Sequence, residues 1–169
     1  MHTQGLDKRE KLYVSVYSKP RLAAALGYLS TFFVCTAVVA YLLLVILVSV
    51  SDFYKGISFI LESFLPFLTV SVFRKLYSAK RPYEVYDFSS LGIESPKEKK
   101  GSSFPSRHVF SIFLIGTLAF PYALPLAVCL LVFGVMLGAC RVLLGIHFVR
   151  DVVAGALIGV ASGVIGLLI

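Results

Sequence analysis

From Leu22 to Val50 the chain runs for 29 residues without a charge. About 20 apolar residues of helix cross the hydrocarbon core of a bilayer, so this stretch is one tilted span and too short for two. It is also too long for the apolar segment of a cleavable signal peptide. The rest of the chain repeats the message. Of 169 residues, 58% are hydrophobic and only 15% are charged. Soluble domains sit near 45–50% apolar and 25% charged. A body this small has too little interior to hide so much apolar side chain, and disorder is excluded by the same numbers. The composition predicts an integral membrane protein with little outside the bilayer.

Further spans follow in order. Ser51 to Gly56 is a tight polar turn, and Ile57 to about Phe73 is a second span interrupted by Glu62 and Pro66. Arg74 to Arg107 holds eight basic and four acidic residues with Pro82, Pro96 and Pro105, and reads as the one substantial extramembrane loop. Val109–Phe120 is a short third span that helix starting just after Pro105 would lengthen. Pro121 and Pro125 mark a turn and a helix restart. Ala123 to about Cys140 and Phe148 to Ile169 are the fourth and fifth spans. The expected fold is therefore all-α: a polytopic bundle of about five transmembrane helices. It forms a single unit over residues 1–169, with residues 1–21 as a polar tail. The stripes Gly134-x3-Gly138 and Gly155-x3-Gly159-x3-Gly163 are expected to let spans four and five pack closely within the chain. Cys35, Cys129 and Cys140 have no metal-ligand spacing and read as small hydrophobes. Lys97, Glu98, Lys99 and Lys100 read as a solvated stretch of the loop.

This order of spans has a topological consequence. Four separate segments bring polar residues to one membrane face: Arg74–Arg81, Ser106–His108, Arg141 and His147–Asp151. The tail falls on that face too. Guanidiniums bind phosphate oxygens bidentately and stay charged at any working pH. A helix starting at Ser106 presents backbone N–H groups and a positive dipole end to an anion. His147 and Asp151, at i and i+4, are expected to share a helix face. The carboxylate would hold one ring nitrogen protonated and leave the other as a nucleophile. His108, from another helix, is placed to act as general acid on the leaving oxygen. These parts suffice for phosphoester cleavage through a phosphohistidine with no metal and no cofactor. No cluster of carboxylates stands by to hold a divalent cation.

Three motifs carry a family resemblance. Arg74-x6-Arg81-Pro82 is similar to K-x6-R-P, Pro105-Ser106-Arg107-His108 to P-S-G-H, and Cys140-Arg141-x5-His147-x3-Asp151 to S-R-x5-H-x3-D. The chain resembles the type 2 phosphatidic acid phosphatases, the membrane branch of a superfamily that includes the vanadium haloperoxidases. The resemblance implies His147 as nucleophile, Asp151 as its orienter and His108 as the acid. It implies Arg74, Arg81, Ser106, Arg141 and the Arg107 backbone N–H as the phosphate cradle. Lys75, beside the substituted Arg74, is a further candidate. The implied substrate is a lipid phosphate, of the undecaprenyl pyrophosphate, phosphatidylglycerophosphate or phosphatidic acid class. Membrane lipids are the other partners, and nucleic acid is not expected, because the apolar segments leave little soluble surface. A non-catalytic lipid-phosphate binder or transporter is the alternative, although binding alone does not need His108, His147 and Asp151. Fifteen of the 16 Lys and Arg fall on the motif face, which by the positive-inside rule points to the cytoplasm. The resemblance implies the opposite side, and the expected placement is a multi-pass cell-membrane protein with an extracytoplasmic site. Glu62, an acid inside an apolar span near the opposite face, reads equally as a functional group or as a side chain snorkelling to that interface.

Overall fold

The computed structural model describes residues 7–93 and 101–169. All regular structure among them is helical: α1 (Lys8–Tyr17), α2 (Pro20–Ser51), α3 (Phe53–Tyr77), α4 (Pro82–Val85), α5 (Arg107–Leu118), α6 (Leu124–Leu143) and α7 (Val149–Leu168). The charges at Lys97–Lys100 lie outside the described residues. Four helices, α2, α3, α6 and α7, are long and apolar enough to cross a membrane, and α5 is a shorter apolar one. Their outward faces carry exposed side chains such as Leu43, Ile46, Leu65, Val135 and Leu157, as a lipid-facing surface requires.

The third predicted span is the centre of the bundle. α5 has 12 residues, about 18 Å of rise, well under the ~30 Å hydrocarbon core. It does not need the full length, because it is jacketed by protein. Val109, Phe110, Ile112 and Leu118 are all 0% exposed. The small-residue stripes make this possible. A Cβ on Gly155 would stand 2.6 Å from the Ser106 carbonyl oxygen, and one on Gly159 would stand 2.5 Å from that of Phe110. Gly134 of α6 faces Ile112 and Phe113 of α5, whereas Gly138 faces Val152 of α7. The stripes therefore seat α5 between α6 and α7 more than they join those two to each other.

Residues 8–17 form a helix where a polar tail was expected. Asp7 caps it and Glu10 returns a hydrogen bond to the Asp7 N–H at 2.7 Å, a reciprocal capping box. Tyr13 and Val16 are buried; Tyr13 and Tyr17 pack on Phe88 with ring centroids 5.1 Å and 5.8 Å away. At the other side of the loop, α3 continues through Arg74 and Lys75 to Tyr77, so the extramembrane segment starts later than the charges alone implied.

Candidate active site

α6 ends in a left-handed turn that aims the chain at the site. Leu144 caps the helix and Gly145 follows with φ +66°, a conformation that glycine adopts at no steric cost. The N–H groups of Ile146 and His147 then both donate to the Arg141 carbonyl, at 3.0 and 3.2 Å. The arginine and histidine of the third motif are thus tied through the backbone. Tyr17 Oη donates to the Leu144 carbonyl at 3.1 Å, and Gly145 lies under Phe88 and Tyr13. The helix α1 braces this turn.

His147 sits before α7, not on it. Phe148 is the N-cap, and Asp151, the third residue of the helix, accepts the Phe148 N–H at 3.0 Å through Oδ2. The pair therefore does not share a helix face, as the i, i+4 spacing suggested, because the turn after Gly145 delays the start of α7. His147 Nδ1 lies 3.6 Å from Asp151 Oδ2, beyond hydrogen-bond range. Ser103 fills the gap. Its Oγ donates to Asp151 Oδ2 at 2.5 Å and stands 3.3 Å from His147 Nδ1. His147, Asp151 and Ser103 are 1%, 0% and 0% exposed, so this linkage is shielded from water. Burial pushes the His147 pKa below the ordinary histidine range. The Asp151 carboxylate pulls it back up in part, and the Arg81 and Arg74 guanidiniums push it further down.

α5 begins at the same place. Ser106 is its N-cap, and its backbone N–H donates to the Asp151 carbonyl at 2.8 Å, which locks the start of α5 to the start of α7. Serine at this position ordinarily accepts a hydrogen bond from the first turn. Here Ser106 makes no side-chain cap, and its buried Oγ has no hydrogen-bond partner among the described residues. The first N–H groups of α5, from Arg107 onward, have no intrahelical acceptor. His108, on the first turn, lies within electrostatic reach of Arg141, Arg107, His147 and Arg74.

The arginines differ in what they do. Arg74, at the end of α3, is buried and donates to the carbonyls of Ser102, Ser103 and Pro105. It braces the strand of backbone that delivers Ser103 and Ser106. Arg81 is buried and its Nε donates to the Gly101 carbonyl at 3.0 Å. Glu84 completes that clasp by accepting the N–H groups of Arg81 and Gly101 at 2.8 and 2.9 Å. Arg141 is buried in the last turn of α6. Arg107 is exposed, its guanidinium lies 5.6 Å from the centre of the Phe67 ring, and it lines an apolar cavity together with His108. Lys75 is exposed, and no contact among the described residues joins its side chain to the cluster. The sequence reading missed Ser103 and Glu84, for neither has a spacing that sets it apart from its neighbours. It missed α1 as well, although Asp7-x2-Glu10 is a helix-start signature.

Apolar cavities run from His108 between α2, α3 and α5. A cavity of about 270 Å³ is lined by Arg107, His108, Ser111, Val38 and Phe67. A second, of about 310 Å³, shares Val38, Phe67, Ser111 and Ile115 and continues to Tyr41 and Ser63 between α2 and α3.

Two histidines, a shielded carboxylate and three buried arginines thus gather at one end of the helix bundle. A family model for the PAP2 superfamily matches residues 33–169, and the chain belongs to that superfamily. Among solved structures it is similar to the crystal structure of Aquifex aeolicus LpxE, at 24% identity and a TM-score of 0.63, over 100% of both chains. The protein is a phosphatase of that superfamily, with four helices long and apolar enough to cross a membrane.

Proposed function

We propose that the enzyme hydrolyses a phosphomonoester or pyrophosphate of a lipid through a phosphohistidine on His147, without a metal. The observation that carries this reading is the linkage of His147 Nδ1 to Asp151 through Ser103, in a site where burial favours the neutral ring. With the proton held at Nδ1, the Nε2 lone pair is left for phosphorus. It attacks, the bond from phosphorus to the lipid oxygen breaks, and His108 gives that oxygen its proton. Water then attacks the phosphohistidine with His108 as base, which releases inorganic phosphate and restores His147.

Arg81, Arg141 and the first N–H groups of α5 are suited to the phosphate oxygens. The Ser106 hydroxyl would gain the partner it lacks; an unsatisfied buried hydroxyl costs about 1–3 kcal/mol. Arg74 would act on the phosphate from within a network that also shapes the cradle. The metal-free reading rests on the donor set, which is guanidinium where a metal site would place carboxylates. The groove beside His108 supports a substrate whose hydrocarbon chain stays among α2, α3 and α5 while its phosphate reaches His147. Undecaprenyl pyrophosphate, phosphatidylglycerophosphate and phosphatidic acid all have that form. The site is assigned to the extracytoplasmic face of the cell membrane, and the whole chain to a single catalytic unit.

The test is phosphate release by purified protein in detergent micelles with excess EDTA, across those three lipids. Wild type should release phosphate and His147→Ala should not. Equal background release from both folded proteins would favour a lipid-phosphate binder or transporter instead.

A further inference from the structure

A third cavity is lined by chain neighbours of the site residues. It measures about 400 Å³ and is lined by Arg9 of α1, Lys80, Val85 and Tyr86 of the following segment, and Phe148, Val149 and Arg150 at the start of α7. Three cations converge there, and none of the lining residues among the described ones is acidic. Two of them share one ring: the guanidinium carbons of Arg9 and Arg150 lie 5.7 and 5.2 Å from the centre of Phe148. Arg9 is steadied further by Tyr86 Oη at 3.4 Å.

Most nearby carboxylates among the described residues are engaged elsewhere, and one, Asp151, faces a single cation of the three. Asp7 and Glu10 cap α1. Glu84 is turned inward to the N–H groups of Arg81 and Gly101. Asp87 accepts from Ser89 Oγ. Asp151 Oδ1 lies 3.6 Å from Arg150 Nε, but Asp151 is fully buried while the Arg150 side chain is 71% exposed. Like charges gathered around one ring repel one another, a single buried carboxylate beside one of them offsets this only in part, and an anion placed among them relieves the rest. Guanidiniums and an ammonium are the donors that suit phosphate.

We propose that this pocket is a second phosphate-binding site, distinct from the catalytic cradle, which takes the phosphate of an anionic lipid headgroup or free phosphate. Its walls are chain neighbours of the catalytic residues: Lys80 precedes Arg81, Phe148 follows His147 and Arg150 precedes Asp151. A phosphate there would hold α1 against the start of α7 and steady the turn that carries His147.

The experiment compares wild type with Arg9→Gln/Lys80→Gln, and with Lys80→Gln alone as the variant least able to disturb packing. One arm titrates inorganic phosphate by calorimetry in detergent. The other counts phosphatidylglycerol and phosphatidylcholine retained from mixed micelles by native mass spectrometry. Two bound phosphates in wild type, with one weakened roughly tenfold in the double variant, indicate free phosphate as occupant. Preferential retention of phosphatidylglycerol that the double variant loses indicates a headgroup. In either case Lys80→Gln should fall between, and binding should weaken with added salt, because these cations are exposed and screened. Identical binding by all three folded proteins in both arms overturns the proposal. Turnover is measured in parallel: its absence in wild type would count against the hydrolytic mechanism and leave the binding result to decide the pocket.

Discussion

Ser103 donates its hydroxyl proton to Asp151 Oδ2 and leaves an oxygen lone pair facing His147 Nδ1, 3.3 Å away. The carboxylate thus acts on the imidazole through a hydroxyl relay. Ser103→Ala removes the bridge and leaves His147 and Asp151 at a separation too long for a direct hydrogen bond. Turnover should fall about 5- to 150-fold, the equivalent of about 1–3 kcal/mol for an unmade buried hydrogen bond. Ser103→Thr, which keeps the hydroxyl, should recover much of it. Nitrogen NMR of His147 should show a mixed tautomer in Ser103→Ala and a single one in wild type.

The pH dependence has a defined sign. His147 must be neutral to attack, and its pKa lies below the ordinary histidine range, chiefly through burial. The acid limb of kcat/KM should therefore fall below pH 6.5, with activity lost as pH drops through that lowered value. Asp151→Asn removes the group that raises the His147 pKa, so the limb should move to still lower pH while kcat falls about 10²–10⁴-fold. A limb that moved upward would contradict the assignment.

His108→Ala should cost about 10²–10⁴-fold on a lipid alkyl phosphate, whose leaving oxygen needs a proton. The loss should be far smaller on a nitrophenyl phosphate, which leaves as a stable anion. Equal losses on both substrates would remove His108 from the role of acid.

Arg74→Lys tests whether the guanidinium is needed for its shape. An ammonium cannot span the carbonyls of Ser102, Ser103 and Pro105 as the fork does. The variant should lose activity together with thermal stability in detergent, measured as Tm.

The packing of α5 gives a structural prediction. Gly155→Ala places a methyl 2.6 Å from the Ser106 carbonyl, a backbone atom that cannot rotate away. It should cost about 1–3 kcal/mol and lower turnover by displacing Ser106. Gly27→Ala is the control, since nothing lies within 4 Å of its added carbon, and its Tm should not fall.

Much of this was legible in the sequence because membrane spans and motif spacing are both one-dimensional signals. The uncharged run at Leu22–Val50 and the register of Arg81, His108, Arg141 and His147 needed no tertiary information. What the sequence hid depends on a third dimension. Helical spacing put His147 and Asp151 on one face, but the left-handed turn at Gly145 delays the start of α7 to Val149. Glycine at 155 and 159 marked close approach without naming α5 as the neighbour. Ser103 is one serine among several in its loop, and only the fold brings it between His147 and Asp151.

The central claim is the covalent intermediate on His147. Rapid quench into alkali, with a lipid substrate carrying labelled phosphate and EDTA present, captures it most directly, since phosphohistidine survives base. Label bound to wild-type protein within the first turnover, mapped to His147 and missing from His147→Ala, is the predicted result. Full turnover with no label on the protein at any time, while phosphate is released, would contradict it and point to direct attack by water.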